Sequence, residues 1–426
     1  MKILFYQNKR LRKDEVSSDG VHVTEVLNHL YDLGHTIIYA SGEYHSIMPP
    51  LLDPISVTSS DRESKWLIIK RFVSKSPFRG EAKVIFNFLK EIELFILASR
   101  TVLIEKPDLI YRRHTFFASE HILSRIFRIP NIREVNGLLV DEVTIRKEAD
   151  KFSLWILNDI ERRSFQKAAK SIVVTLKLKD TLINEYKIPD NKIVVIENGA
   201  NTDLFAPMDM SLVKRSLHLS PRNSYVCFVG GLMIWHGIET LVASMPFILD
   251  EYPDARVLIV GDGIMKNELV KQSIKLNISD KVIFVGKVPY GKVPWYINAS
   301  EVGVVCSKWD GINHKVGSSP LKFCEYLACG KPVVSTKLSG QDILEKFDCG
   351  YIVNQDDSKG LAQALLKLLR DPLLRERMGQ NGRKYVLQNR SWESISKKVA
   401  DVCSDCIEDY KKIRMNHNNI MKPKKF

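Results

Sequence analysis

Short apolar runs alternate with amphipathic stretches from one end of the chain to the other, the pattern of parallel strands covered by helices. In the first half, the runs Lys2–Gln7, Thr36–Ala40, Asp108–Arg113, Asn131–Val135, Ser171–Thr175 and Lys192–Glu197 predict strands. Between the first two, Val23, Val26, Leu27 and Leu30 recur at helical spacing and Gly34 supplies the stop. The second half repeats the scheme at Tyr225–Gly230, Arg256–Gly261, Lys281–Val285, Val302–Cys306, Pro332–Thr336 and Gly350–Val353. Pro207 and Pro221 bracket a polar, strand-free stretch, so the break between halves is expected within Asp203–Pro221. Past Asp371-Pro372 the pattern is helical through Trp392 and Val399 to Tyr410, and the lysine-rich tail beyond it is expected to fray. This is an α/β chain of two doubly wound, Rossmann-like domains, expected to face each other across a cleft. In open α/β sheets, ligands bind beyond the carboxyl ends of the strands.

Composition narrows the picture. At 426 residues the chain exceeds what one core ordinarily supports. Its 45% hydrophobic and 27% charged residues exclude disordered and collagenous classes. Lys and Arg number 63 against 50 Asp and Glu, a net charge of +13, which points to an anionic partner. Nucleic acid is set aside: the basic residues are scattered and form no recognised binding module. The seven cysteines mostly lie in apolar runs and read as reduced core thiols of a cytosolic protein. Cys403 and Cys406 form a lone Cys-x-x-Cys without the four ligands a structural zinc requires. Lys9, Arg10, Arg12 and Lys13 interrupt the first apolar run too soon for a signal peptide, and no uncharged run is long enough to span a bilayer.

The most informative segment runs from Ser318 to Pro332. Ser319 is a good N-cap, Pro320 suits a first helical position, and Gly330 before Lys331-Pro332 ends the helix. Lys322 then falls in the first turn, where the helix dipole disfavours a cation unless an anion docks at the free amides. Glu325, three residues on, shares its face and is able to accept hydrogen bonds from a ribose diol. The alternative is a simple Lys322–Glu325 surface pair. Gly261-Asp262-Gly263 and Gly230-Gly231 each end a predicted strand, Trp235-His236-Gly237 follows the latter, and Ser17-Ser18-Asp19-Gly20 precedes a helix. None is a P-loop, because the Gly-Lys-Ser/Thr ending is missing.

Taken in order, these residues resemble the retaining nucleotide-sugar glycosyltransferases of family 4, which have the GT-B fold. The resemblance covers nearly the whole chain. It rests on Gly20 with the helix to Gly34-His35, on Glu134-Val135-Asn136-Gly137, and on Ile196-Glu197-Asn198-Gly199-Ala200-Asn201 running to Phe205. It rests further on Gly230-Gly231 with Trp235-His236-Gly237, on Gly261-Asp262-Gly263, and above all on the Pro320–Pro332 block, similar to the family's "SPLK…EY.A.GKPVV" subtype. The resemblance implies an acceptor-side domain over residues 1–205, a donor domain over 206–391, and a last helix, about 392–426, packing back on the first. It implies that Glu325 grips the ribose hydroxyls. The start of the Ser319–Gly330 helix, with Ser318, Ser319, Pro320, Leu321 and Lys322, would hold the donor diphosphate together with Gly230, Gly231 and Gly261. Gly20 would let an N-terminal loop approach the diphosphate, and backbone around Gly286, Lys287 and Val288 would meet the base.

Three departures stand out. The first glutamate of the family's pair is Gly317; the usual Arg and Lys of the phosphate-binding turns are Gly231 and His236; and a frequent histidine is Asn136. Lys322 is the compensating cation, with His236 a partly charged hydrogen-bond donor. The expected reaction is transfer of a hexose-type sugar from a UDP-sugar, or a GDP-sugar, to a hydroxyl of a glycan or lipid-linked glycan, with retention. Lys322, Glu325, His236 and Asn136 would act at the reacting centre, with no metal and no cofactor beyond the donor. The chain contains no evident Asp-x-Asp metal loop. Lys65, Lys70, Arg71, Lys75, Arg79 and Lys83, interleaved with Trp66, Phe72 and Phe78, suit an anionic membrane surface or a solvated helix face. The apolar run Val84–Leu97 is expected to be core or cleft wall. A cytoplasmic location, peripheral at the inner face of the cell membrane, follows. The competing functions are a GT-B sugar-nucleotide epimerase or phosphorylase and a non-catalytic sugar-nucleotide-binding partner.

Overall fold

The computed structural model describes residues 1–7, 18–41, 44–47, 79–115, 117–145, 149–308, 311–337 and 340–420. It divides into two compact units, one of Met1–Lys13, Val26–Ile196 and Ser396–Phe426, the other of Asp14–Glu25 and Glu197–Ile395.

The first unit is built on β1 (Lys2–Gln7), β2 (Thr36–Ser41), β3 (Tyr44–Ile47), β4 (Leu109–Arg113), β5 (Asn131–Val135), β6 (Lys170–Val173) and β7 (Ile193–Val195), in the order β3-β2-β1-β4-β5-β6-β7. All pairings are parallel except β3 with β2. The antiparallel β3 was not expected, because a four-residue edge strand of sequence YHSI carries almost no alternation. One face of the sheet packs Leu4, Tyr6, Ile38 and Ile110 against Leu94, Ala98 and Val102 of the helix Arg79–Glu105. That helix does not bury all of the apolar run expected to be core or cleft wall: Phe88, Leu89, Ile92 and Ile96 are 41–49% exposed. Spaced along one side of the helix, they face away from Leu94 and Ala98. The basic segment from Lys65 to Lys75 lies outside the described residues, as do the side chains of Arg79 and Lys83.

Two arginines inside β4 and β5 break the apolar pattern and are fully buried. Arg112 grips Glu91 with both Nη atoms, at 2.6 and 2.8 Å, and reaches Ser119 Oγ at 2.7 Å. Arg133 donates to Ser164 Oγ at 2.6 Å and pairs with Glu120. Mutual pairing is what makes such burial tolerable, and removing one partner would strand the other.

The second unit holds β8 (Ser224–Val229), β9 (Ala255–Val260), β10 (Val282–Gly286), β11 (Val302–Val305), β12 (Val333–Thr336) and β13 (Gly350–Val353), in the order β10-β9-β8-β11-β12-β13 and all parallel. The chain order reverses between β8 and β11, so the carboxyl end of β8 is the topological switch point where such sheets bind ligands. The helix Leu321–Ala328 lies directly on this sheet. A Cβ on Gly303 of β11 would come within 2.4 Å of the Tyr326 ring, so only glycine permits the approach. The Val229 amide donates to the Tyr326 hydroxyl at 2.7 Å and fixes the helix over the end of β8. All seven cysteines are free and buried; on the last helix, burial pushes the Cys406 thiol up to about 12 and raises Cys403 as well. No helix among the described residues is long and apolar enough to cross a membrane.

Candidate active site

Beyond the carboxyl ends of β8, β9 and β10, the second unit encloses a cavity of ≈ 460 Å³, within the range of small-molecule sites. Its lining includes Gly230, Gly231 and His236 after β8, Gly261 and Asp262 after β9, Lys287, Val288 and Tyr290 after β10, and Pro320, Leu321, Lys322 and Glu325 of the helix. The strand ends meet backbone to backbone. Gly261 has φ +142, and a Cβ there would lie 2.0 Å from the Gly230 carbonyl oxygen. The floor is thereby left without side chains, and a ligand is able to approach peptide groups directly.

The helix starts differently from expectation. Its N-cap is Pro320, at φ −74° and ψ 138°, the first helical residue is Leu321, and no side chain caps it. Ser319 does not cap: with Pro320 extended, its hydroxyl bonds no helix amide and accepts instead from the Asn198 main-chain amide at 3.1 Å. The Leu321 and Lys322 amides therefore have no partner among the described residues. Unsatisfied amides at a helix start attract anions.

Lys322 is buried, with 8% of its surface exposed, and makes no hydrogen bond or ion pair among the described residues. Its Nζ sits 4.0 Å from the centroid of the Phe228 ring. Burial pushes its pKa down to about 8 although Glu325 pulls it upward. Glu325 is also buried, so the two are not a surface pair. Tyr290 donates its hydroxyl to Glu325 Oε1 at 3.0 Å. Burial pushes the carboxyl up to about 7, partly offset by that hydrogen bond and by Lys322. An unpartnered ammonium, two unpartnered amides and a carboxylate acceptor thus line one cavity.

Two family models match this chain, one over each half. The model for Glycosyltransferase Family 4 matches residues 20–204, and that for Glycosyl transferases group 1 matches residues 211–385. The chain belongs to the family-4 glycosyltransferases. An uncharacterized glycosyltransferase of Methanocaldococcus jannaschii is 25% identical over 72% of this chain and 77% of its own length. The UDP-Gal:α-D-GlcNAc-diphosphoundecaprenol α-1,3-galactosyltransferase of Escherichia coli is 24% identical over 75% of this chain and 81% of its own length. A crystal structure of Anabaena HepE in complex with UDP has the same GT-B fold, with a TM-score of 0.66 at 18% identity, covering 95% of this chain and all of that one.

In this glycosyltransferase the remaining expected site residues are placed unevenly. His236 lines the cavity, but its Nδ1 donates to the Gly231 carbonyl at 2.6 Å, and burial together with Lys322 lowers its pKa. It is a neutral ring whose Nε2 is an acceptor, not the partly charged donor expected. Gly20 sits inside the helix Ser18–Asp32 and does not line the cavity, although its neighbour Val21 does. Ser318 and Ser319 line a separate small cavity with Glu197, Gln341 and Arg390; Gln341 Nε2 donates to Ser318 Oγ at 3.3 Å. Gly286 accepts from the Gly261 amide at 2.8 Å, leaving Lys287 and Val288 on the cavity wall. Asn136 belongs to the first unit, where it donates to Glu134 Oε1 at 2.6 Å. Gly317 has φ +74, a conformation in which a glutamate would be strained. Tyr290 and Asn198 are the residues that motif reading passed over as individual actors; a tyrosine four residues past a strand end and an asparagine inside a family signature carried no separate signal.

Proposed function

We propose that this glycosyltransferase moves a hexose-type sugar from a nucleoside diphosphate donor, a UDP-sugar in the first instance, to a hydroxyl of a glycan or lipid-linked glycan, with retained anomeric configuration. The observation that carries the reading is the unpartnered Lys322 ammonium beside the uncapped amides of Leu321 and Lys322. Loss of the diphosphate leaving group puts negative charge on its oxygens. Donors fixed in advance around that position stabilise it without reorganisation, worth several kcal/mol. Glu325, oriented by Tyr290, accepts from the ribose diol. Val288 and the backbone near it close over the base. The departing phosphate takes the acceptor's proton, so no carboxylate base and no metal is needed.

Support for UDP comes from the UDP-Gal-using relative and the UDP-bound structural neighbour, and support for a lipid-linked acceptor from the relative's diphosphoundecaprenol substrate. A peripheral position on an anionic membrane suits such an acceptor, and the exposed Phe88, Leu89, Ile92 and Ile96 supply an apolar face for it. The decisive assay incubates the protein with UDP- and GDP-sugars, an acceptor panel and EDTA, then assigns the product's anomeric configuration by NMR. Transfer with retention supports the proposal; tight nucleotide binding without transfer or donor hydrolysis would instead identify a non-catalytic binder. Flotation with anionic but not zwitterionic vesicles is expected, and its absence would remove the membrane part.

A further inference from the structure

We propose that Asn198 is a positioning residue that keeps the start of the Leu321–Ala328 helix open for its anionic ligand; this rests on the diphosphate reading above. Every polar group of Asn198 is committed around that helix start. Its amide donates to Ser319 Oγ at 3.1 Å, and its Nδ2 donates to the Ser319 carbonyl at 2.5 Å. Its own carbonyl receives the Cys324 thiol at 3.5 Å, from the second turn of the same helix. Its Oδ1 accepts from Nδ1 of His22, in the Asp14–Glu25 segment of the same unit, at 2.9 Å.

The consequence follows from what Ser319 would otherwise do. A serine followed by proline is a strong helix start, and a capping hydroxyl bonds the amides two and three residues on. Counted from Ser319, those amides belong to Leu321 and Lys322, the two that are left without a partner. The Asn198 main chain takes the Ser319 hydroxyl and its side chain fixes the Ser319 carbonyl, which keeps Pro320 extended at ψ 138° and shifts the N-cap one residue onward. The serine that would satisfy the helix is turned away from it, and the amides remain for the ligand. Without the Asn198 side chain the Ser319 carbonyl loses its donor, Pro320 is released to turn helical, and the Ser319 hydroxyl, which has a second lone pair beside the one facing the Asn198 main-chain amide, caps the helix and closes the anion site.

The test uses the full-length protein with UDP and GDP as probes. Asn198→Ala is expected to weaken nucleotide binding about five- to tenfold, the worth of a capping interaction set against the ligand. Adding Ser319→Ala to it removes the competing hydroxyl and is expected to recover most of that loss. A merely structural Asn198 predicts the opposite, a double variant no better than the single one. Hydrogen exchange in the absence of nucleotide gives a second readout: the Leu321 and Lys322 amides should exchange fast in the natural protein and more slowly in Asn198→Ala. If Asn198→Ala does not fold, Asn198→Asp, which retains the acceptor for His22 but not the side-chain donor to the Ser319 carbonyl, is read by the same exchange measurement. Unchanged affinity in Asn198→Ala, no recovery in the double variant, or unchanged exchange overturns the proposal. A natural protein that binds neither nucleotide would instead overturn the diphosphate reading.

Discussion

Lys322→Met should make the free protein more stable and the enzyme far worse. The ammonium is nine-tenths buried without an ion pair, and its pKa falls from 10.5 to about 8. That drop corresponds to roughly 3 kcal/mol of cost to the charged form in the unliganded protein. The folded pKa lies below the unfolded one, so between about pH 8 and 10.5 the unfolded chain holds a proton the native state has lost. Stability therefore rises with pH across that window, and the cost is fully present below pH 8. Methionine removes it and gives up about 1 kcal/mol of contact with Phe228, for a net gain of roughly 2 kcal/mol. For a unit of this size that is a melting temperature higher by roughly 4–8 °C at pH 7. The gain should shrink as the pH is raised to 10. Loss of the donor facing the leaving group should lower turnover by about 10²–10³-fold. Differential scanning fluorimetry at pH 7 and 10, with and without UDP, and steady-state kinetics measure both halves. A variant that melts lower than the natural protein at both pH values, or turns over at near-natural rates, would refute the assignment.

Glu325 sets the acid side of the same profile. Its folded pKa, about 7, lies above the ordinary 4.5, so stability falls as the pH rises from about 4.5 to 7 and the cost is fully present above that, and Glu325→Gln should raise the melting temperature at pH 8 while weakening donor binding. The natural enzyme's kcat/KM should climb as the pH passes about 7 and fall as Lys322 deprotonates above about 8. Tyr290→Phe removes the hydrogen bond that favours the carboxylate, which should move the acid limb to higher pH; an unmoved limb counts against Glu325 as its origin. Gly303→Ala puts a methyl 2.4 Å from the Tyr326 ring and should destabilise by 3 kcal/mol or more, seen as a lower midpoint in urea.

Most of the fold was legible because its signal is local. A parallel strand buried on both faces reads as a continuous apolar run, and those runs stand within a residue or two of the strands in both units. What escaped was decided by partners distant in sequence. Ser319 has the right identity and neighbour for an N-cap, yet a hydrogen bond from Asn198, 121 residues away, takes its hydroxyl. His236 was expected to be a partly charged donor, but its Nδ1–H is spent on the Gly231 carbonyl, and burial together with Lys322 disfavours a second proton. The run Val84–Leu97 is apolar enough for a core, but a helix buries only one face, and Phe88 and Ile92 fall on the other. Glu325 and Lys322 were found because their chemistry and the helix period both point one way.

Two of the positions that depart from the family pattern, Gly231 and His236, line the same cavity as Lys322. Lys322 Nζ would lie 3.0 Å from a Cβ on Gly230, so the space beside this turn is filled by the lysine reaching across from the helix. An arginine at the exposed Gly231 would bring a second cation toward an ammonium already held near pKa 8 by burial. Like charges so placed disfavour each other, and Lys322 adds in this way to the burial that keeps His236 neutral. At Gly317 the backbone has φ +74, where a glutamate would be strained by about 1–3 kcal/mol. Under the proposed reading, Lys322 stands in for the cations missing at Gly231 and His236. Gly231→Arg should accordingly weaken UDP binding in the natural enzyme, by competing with Lys322, yet recover part of the affinity lost in Lys322→Met. Isothermal titration with UDP on the two single variants and the double variant distinguishes this from independent sites, for which the effects of the two substitutions would simply add.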